Sequence, residues 1–221
     1  MTEQQWLACT DPQAMLEFLR KNASERKLRL FACGCVRRAF PQLPDKRSRH
    51  ILATVERYAD GLADQKALKA AWASARWAAR VADRRDDVAT QAVKWLLANL
   101  AEESIALVPQ FTWSAALHGG LGLQPPTQCQ LIREMFGNPF HNPLIDPACL
   151  TWRDATIPQL AQAAYDKRIL PSGDLNGARL AILADALEEA GCTAADLVEH
   201  LREPGPHTRS CWAVDRLLAK E

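Results

Sequence analysis

The chain has 221 residues, 48% of them hydrophobic, and its 27 basic and 26 acidic residues leave a net charge of +1. This length suits one domain or two small ones. Because the charges balance, the protein has no overall electrostatic field that would attract it to nucleic acid or to an anionic membrane. The longest apolar runs fall well short of the roughly 20 residues that cross a bilayer, so we expect no membrane span.

The first residues, MTEQQWLACTDPQAM, are acidic and polar where a secretory signal would have lysines and an apolar segment. We therefore expect a cytoplasmic protein. The seven cysteines are an odd number, and most of them fall within apolar helical patterns. That placement is typical of reduced residues in a core and not of a disulfide framework.

The first half of the sequence predicts a stack of antiparallel helices. Asp11 before Pro12 is typical of a helix start, because the carboxylate accepts amide hydrogens that have no other partner and proline fits the first turn. A second helix, with a wide apolar face, is predicted from Ser24 to Phe40, and a third from Ser48 to Tyr58.

The sequence becomes rich in alanine after residue 62. Apolar residues three and four positions apart predict a narrow helical stripe that a neighbouring helix can approach closely. A charged break is expected at residues 83–87, and helical periodicity resumes over residues 88–107. The stripe consists of Leu68, Ala71, Ala75, Ala78 and Ala82.

Two segments rich in glycine and proline interrupt the second half. The sequence HGGLGLQPPT, residues 118–127, predicts a loop or a domain junction, and a helix is expected at residues 128–136. The sequence GNPFHNPLIDPACLTW, residues 137–152, predicts a long irregular segment through which neither a helix nor a strand runs. Helices resume near Ile157.

Three short helices joined by two tight turns are predicted over residues 175–217. Gly191 can end the first of these helices. Thr193, followed three residues later by Asp196, is typical of the cap that begins the next. The sequence PGP at residues 204–206 then ends that helix.

No run shows the β-branched alternation that is typical of a strand. The sequence therefore predicts an all-α protein, a multi-helix array with a helical subdomain over residues 1–117 and a second, loop and helices, over residues 118–221. One continuous domain is the alternative.

Six stretches of the sequence carry a resemblance to a known family: EQQWLACTDPQAMLEFLRKNASERKLRLFACGCVRRAF, REMFGNPF, DPACLTW, LAQAAYDKR, ILADALEEAGC and GPHTRSCWAVDRLLAKE. They resemble a family of planctomycete-type bacterial proteins whose members have no assigned activity. That family often has a further cysteine where this chain has Val36, so the resemblance does not imply a shared metal role for Cys33 and Cys35. Some members are named after a group of α/β immunity and scaffold proteins, whose motifs are missing here.

The segment ARLAILADALEEAGC also resembles RLVLADWLEERGD, the pattern of a short helical module from the same kind of bacteria. That resemblance implies an adaptor more than an enzyme.

His207 and Cys211 are the pair of residues in the sequence whose types and spacing most suggest metal binding or catalysis. Four residues apart, they could share one side of the last helix, a spacing that suits zinc or a thiolate with a histidine beside it. Against this, the chain has no CxxC partner, and a histidine that opens a helix beside a buried cysteine needs no ligand. We therefore assign neither a metal nor a catalytic role to the pair, but we keep both residues as binding candidates.

Three further residues are binding candidates. Asn138 and His141 lie in the irregular segment, where a histidine can act as a base or a recognition group. For this segment we favour the simpler interpretation, in which Asn138 stabilises a turn and Phe140 fills the core. Trp212 either anchors helix packing or, if exposed, marks a binding surface.

These features favour a non-enzymatic protein-interaction or scaffold module that binds a protein partner and needs no cofactor. Its groove would be lined by Trp72, Trp77 and the alanine stripe. The alternative is a metal-binding protein or small enzyme that uses His207 and Cys211. Nucleic-acid binding through the arginines of the second helix is a distant third. Those arginines are Arg26, Arg29, Arg37 and Arg38.

Overall fold

The computed structural model describes residues 1–39, 46–82 and 123–220. Within these ranges the protein is all-α, with ten helices and no strand, as the sequence predicted. None of the described helices is long and apolar enough to cross a membrane. The helices are α1 Glu3–Ala8, α2 Pro12–Leu19, α3 Glu25–Ala39, α4 Lys46–Ala59, α5 Gln65–Ala82, α6 Pro125–Phe136, α7 Pro147–Asp166, α8 Gly177–Glu189, α9 Ala195–Arg202 and α10 Trp212–Leu217.

The chain divides into two compact units. The terminal unit contains Met1–Leu7 and Arg133–Glu221, and the middle unit contains Ala8–Ile132. The predicted boundary between residues 117 and 118 lies outside the described residues, so the predicted division stays a prediction.

Helices α3, α4 and α5 pack in sequence order in the middle unit. The predicted start of α2 is confirmed, since an Asp11 carboxylate oxygen accepts a hydrogen bond from the Gln13 amide at 2.9 Å. The predicted start of α3 is also confirmed, because the Ser24 hydroxyl accepts from the Lys27 amide at 3.2 Å. Helix α4 begins two residues before the predicted Ser48.

The alanine-rich sequence is helical as predicted over Gln65–Ala82, the part that the structure describes. Leu68 and Ala71 of the predicted stripe are buried, and Trp72 is half-buried. The side chains of Ala75, Ala78 and Ala82, and that of Trp77, lie outside what the structure describes. So do the predicted break at 83–87 and the predicted helix at 88–107.

The predicted loop at residues 118–127 is wrong in its last part. Helix α6 begins at Pro125, because proline is tolerated in the first turn, where its missing amide hydrogen would have no helical partner.

The predicted irregular segment is also shorter than expected. Its end is helical, since Asp146 caps α7 by accepting from the Ala148 amide at 2.8 Å and Pro147 occupies the first turn. The irregular part is therefore residues 137–146. Helix α7 is itself broken at residues 152–155, where three successive residues have φ values of 44°, 58° and 61°, and it then continues to Asp166.

Helices α7 to α10 enclose the core of the terminal unit. Gly191 ends α8 as predicted, with a φ of 76° and a hydrogen bond from the Cys192 amide to the Leu187 carbonyl. The predicted cap at Thr193 is wrong, because Ala194 occupies the cap position and no side chain caps α9. The second predicted tight turn is wrong too, since residues 203–211 form a longer irregular connection.

Candidate metal centre

Four side chains of the terminal unit converge in its interior. Glu134 comes from the last turn of α6, His200 from α9, His207 from the 203–211 connection and Cys211 from the residue before α10. One donor atom from each residue lies within 4.8 Å of all the others.

Glu134 is held in place by its neighbours in the chain. The Arg133 guanidinium donates to the Trp6 carbonyl at 2.9 Å, which ties the end of α6 to α1. Gly137 ends α6 with a φ of 67°, and a Cβ atom there would approach the Trp212 ring to 3.0 Å. This close approach brings the start of α10 beside the end of α6.

The 203–211 connection is fixed by its backbone. Gly205 has a φ of 81°, and a Cβ atom there would lie 2.9 Å from the His207 amide nitrogen, so the turn requires glycine. The His207 carbonyl accepts from the Leu175 amide at 2.8 Å, and the Thr208 amide donates to a Glu134 carboxylate oxygen at 3.2 Å.

Side chains on either side of these contacts reinforce the same connection. The Arg209 guanidinium donates to the Tyr165 hydroxyl at 3.1 Å. The buried Ser210 hydroxyl donates to Asp215 at 2.6 Å. Both contacts hold the connection without using any of the four converging side chains.

The donor atoms are spaced as ligands of a single ion would be. His200 Nε2 lies 3.2 Å from Cys211 Sγ and 3.3 Å from Glu134 Oε2, and His207 Nδ1 lies 3.2 Å from Glu134 Oε1. Tetrahedral ligands of zinc at its usual bond lengths are about 3.3–3.6 Å apart. These three donor pairs already lie at about this spacing, whereas any pair near the 4.8 Å limit would have to move inward for coordination.

Glu203 contacts the outer nitrogens of both histidines. His207 Nε2 lies 3.1 Å from the Glu203 carbonyl oxygen, which can only accept, so Nε2 carries a hydrogen. His200 Nδ1 has a longer contact of 3.5 Å with the Glu203 carboxylate. In their neutral forms, both rings then direct a lone pair towards Glu134, the arrangement found where histidine binds a metal.

The pKa values reflect this crowding. Burial opposes ionisation of Glu134, but hydrogen bonds and positive charge from His200 and His207 outweigh it and lower the pKa to about 2. Burial also opposes protonation of His207, yet the Glu134 carboxylate and the Glu203 carbonyl raise its pKa. Without a metal, a shared proton has to separate these groups.

Cys211 behaves differently from a catalytic cysteine. Burial, with the negative charge of Glu134, raises the pKa of its thiol well above the usual value. The nucleophilic cysteines of enzymes typically have a lowered pKa. The surroundings of Cys211 therefore favour a neutral thiol, which loses its proton only when a cation binds to the sulfur.

The four side chains are shielded from solvent. His207 is 3% exposed and Cys211 is fully buried, while the side chains of His200 and Glu134 are 12% and 10% exposed. The Trp212 ring lies against His200 with a centroid distance of 5.1 Å, and the two histidine rings meet edge to face at 4.8 Å. Such a closed arrangement is typical of structural metal sites.

The structure brings three of the five predicted binding residues together. His207, Cys211 and Trp212 are neighbours, but the expectation that His207 and Cys211 share a helix is wrong. Helix α10 begins only at Trp212, and the irregular connection places the pair.

The other two predicted residues lie elsewhere. Asn138 donates to Glu3 at 2.6 Å and accepts from the Phe140 amide at 3.1 Å, so it stabilises a turn. The expectation that Phe140 fills the core is wrong, since it is exposed. His141 is exposed and pairs with Asp196 at 2.7 Å.

Sequence reasoning missed Glu134 and His200. His200 could have been found, because it begins the pattern H-x6-H-x3-C that ends at Cys211. Glu134 had no such signal, since 66 residues separate it from His200 and only the fold brings them together.

The remaining candidates have structural partners. Cys33 and Cys35 are buried in α3. Arg26 pairs with Asp60 at 2.9 Å and Arg37 with Glu56 at 2.6 Å. Two of the four arginines considered for nucleic-acid binding are thus neutralised within the middle unit.

No protein-family model matches this chain, and no curated protein or solved structure matches it either. The resemblance to the planctomycete-type family stays a prediction.

Proposed function

We propose that the protein binds one divalent transition-metal ion through Glu134, His200, His207 and Cys211, and that Zn²⁺ is the preferred ion. The observation that carries this proposal is the convergence of four donor atoms within 4.8 Å of one another in a buried site. Two imidazole lone pairs and a carboxylate would repel one another there unless a proton or a cation lies between them.

The donor set favours zinc over the common alternatives. Thiolate and imidazole ligands suit Zn²⁺, whereas Mg²⁺ and Ca²⁺ prefer oxygen ligands alone. Binding would convert the Cys211 thiol to a thiolate, so a proton leaves as the ion enters. The outer contacts of Glu203 supply the second layer of hydrogen bonds that such histidines need.

The proposed role of the ion is structural. Four protein ligands complete a tetrahedral shell and leave no position for a substrate or water. The ion would join the end of α6, helix α9 and the connection that precedes α10. Its binding free energy would therefore add to the stability of the terminal unit.

The test is the metal content of tag-free protein, measured by plasma mass spectrometry after purification and again after incubation with Zn²⁺ and desalting. We expect one ion per chain in the wild type and in His141→Ala, an exposed histidine that serves as the matched control. We expect none in His207→Ala and Cys211→Ala. A wild-type chain that stays empty after incubation would refute the proposal.

Cobalt distinguishes direct coordination from a folding defect. Co²⁺ bound to a thiolate gives a sulfur-to-metal charge-transfer band, which we expect in the wild type and in His141→Ala. Cys211→Ser keeps the size of the side chain but should lack the band. If the band persists in Cys211→Ser, Cys211 is not a ligand.

The protein-interaction or scaffold role is our second proposal. It is supported by large apolar side chains that the terminal unit exposes, such as Leu144 at 86% and Leu170 at 70%. Single exposed leucines are common on protein surfaces, so these two residues only mark the positions at which a test of this role begins. Its test is co-purification of a defined partner with the wild type and the loss of that partner in Leu144→Ser combined with Leu170→Ser.

A further inference from the structure

Two cysteines lie at helix ends in the terminal unit, away from the four converging side chains. Cys149 is in the first turn of α7 and is buried. Cys192 follows the Gly191 turn that ends α8 and is half-buried. Both contribute to the hydrophobic core that helices α7 and α8 share.

The two thiols are neighbours across the ends of these helices. Cys149 Sγ donates to the Ala190 carbonyl at 3.6 Å, two residues before Cys192. Burial raises the pKa of the Cys149 thiol, and the neighbouring Cys192 thiol raises it further. The two residues are 43 positions apart in the sequence, so the packing of α7 against α8 brings them together.

The backbone fixes both positions. The Cys149 amide donates to the Asp146 carbonyl at 2.9 Å, and the Cys192 amide donates to the Leu187 carbonyl at 2.9 Å. Each cysteine thus belongs to a hydrogen-bonded helix end, so their proximity follows from how α7 and α8 pack.

We propose that Cys149 and Cys192 form a reversible intramolecular disulfide when the protein meets a peroxide. Cys192, the more exposed residue, attacks hydrogen peroxide; the O–O bond breaks, one oxygen leaves as water and Cys192 becomes a sulfenic acid. Cys149 then attacks the Cys192 sulfur, the S–O bond breaks and a second water leaves. The two sulfurs lose two electrons and the peroxide gains them.

The disulfide would join the start of α7 to the end of α8. Cross-linking residues 149 and 192 restricts the unfolded chain, so the oxidised protein should melt at a higher temperature than the reduced one. A dithiol reductant should reverse the change.

The test is tryptic mapping under non-reducing conditions after treatment of the purified protein with hydrogen peroxide. Residues 134–153 and residues 180–202 form two tryptic peptides, and each contains a single cysteine. We expect these two peptides joined, with a mass lower by two hydrogens than their sum, and separated again by dithiothreitol.

Variants identify the partners. The link should be absent in Cys192→Ser and in Cys149→Ser. It should persist in Cys9→Ser, which removes another partly exposed cysteine. The metal content should be unchanged in Cys192→Ser, so failure of the disulfide and failure of the metal site can be distinguished.

Three results would overturn the proposal. The first is a sulfinic acid on Cys192 with Cys149 still reduced. The second is a link from either cysteine to a different residue. The third is a disulfide between chains, seen as a dimer on a non-reducing gel.

Discussion

The terminal unit contains two irregular connections, residues 137–146 and 203–211, and each carries a histidine. The two segments are alike in composition, with prolines and a glycine at a positive φ in each. His141 is 64% exposed and meets one carboxylate at the surface, whereas His207 is buried between a carboxylate and a carbonyl. Chemical capacity therefore depends on burial and converging partners, and not on the kind of loop.

Removing the metal should have the largest effect on this comparison. An ion present at about 1,000 times its dissociation constant stabilises the folded state by about 4 kcal/mol. We therefore expect a chelator to lower the melting temperature of the zinc-loaded wild type, measured by calorimetry. The same chelator should change nothing in Cys211→Ser, and an equal decrease in both proteins would contradict the proposal.

Exchange of each histidine for alanine compares the two connections directly, in metal-free protein. His207→Ala leaves the buried Glu134 charge without one of its partners, and we expect the free energy of unfolding to fall by about 3 kcal/mol. His141→Ala breaks only an exposed pair and should cost less than about 0.5 kcal/mol. Urea denaturation measures both, and similar losses would show that burial is not what separates the two sites.

The difference between those two variants should also depend on pH. In metal-free protein the pKa of His207 is higher in the folded state than in the unfolded chain, where it is near 6.5. Protonated His207 therefore contributes to stability in full below about pH 6.5, and this contribution is lost as the pH rises through the folded-state pKa. The pKa of Glu134 is lower in the folded state, so its carboxylate contributes to stability above about pH 4.5. That contribution is lost as the pH falls towards about 2.

The cost of His207→Ala should thus be greatest between about pH 4.5 and 6.5 and smaller at pH 9. Urea denaturation of the wild type and of His207→Ala, within that pH range and again at pH 9, measures the cost at each pH. A cost that does not change with pH would mean that His207 contributes packing alone.

A smaller effect is expected from the turn that places His207. Gly205→Ala introduces a Cβ atom 2.9 Å from the His207 amide at a φ of 81°, and we expect a loss of about 1–2 kcal/mol. Gly177→Ala is the control, because a Cβ atom there has no neighbour within 4 Å. Equal stability of the two variants would show that the turn is more tolerant than its geometry indicates.

Local signals in the sequence were enough for most of the fold. Asp11 with Pro12, Ser24 and Gly191 act where their chemistry predicted, because caps and left-handed turns depend on a few adjacent residues. Thr193 failed as a cap although its spacing to Asp196 was right. Capping depends on backbone angles, which a sequence pattern does not determine.

The candidate metal centre was predictable only in part, because a sequence pattern does not determine which distant residues the fold brings together. His207 and Cys211 were recognised as a chemical pair, but a regular helix was the wrong reason for their proximity. Glu134 and His200 complete the set through a side-chain contact between α6 and α9. Asn138 and His141 had equally suitable residue types but no converging partners.

The contacts that hold residues 203–211 have a kinetic consequence. The hydrogen bonds from Leu175 to the His207 carbonyl and from Arg209 to Tyr165 order this segment without using a single donor of the four. If the proposed metal binds, the arriving ion would meet ligands that are already ordered, and little conformational entropy would be left to lose on binding. Release, by contrast, requires opening a packed interior, so we expect exchange of the ion to be slow.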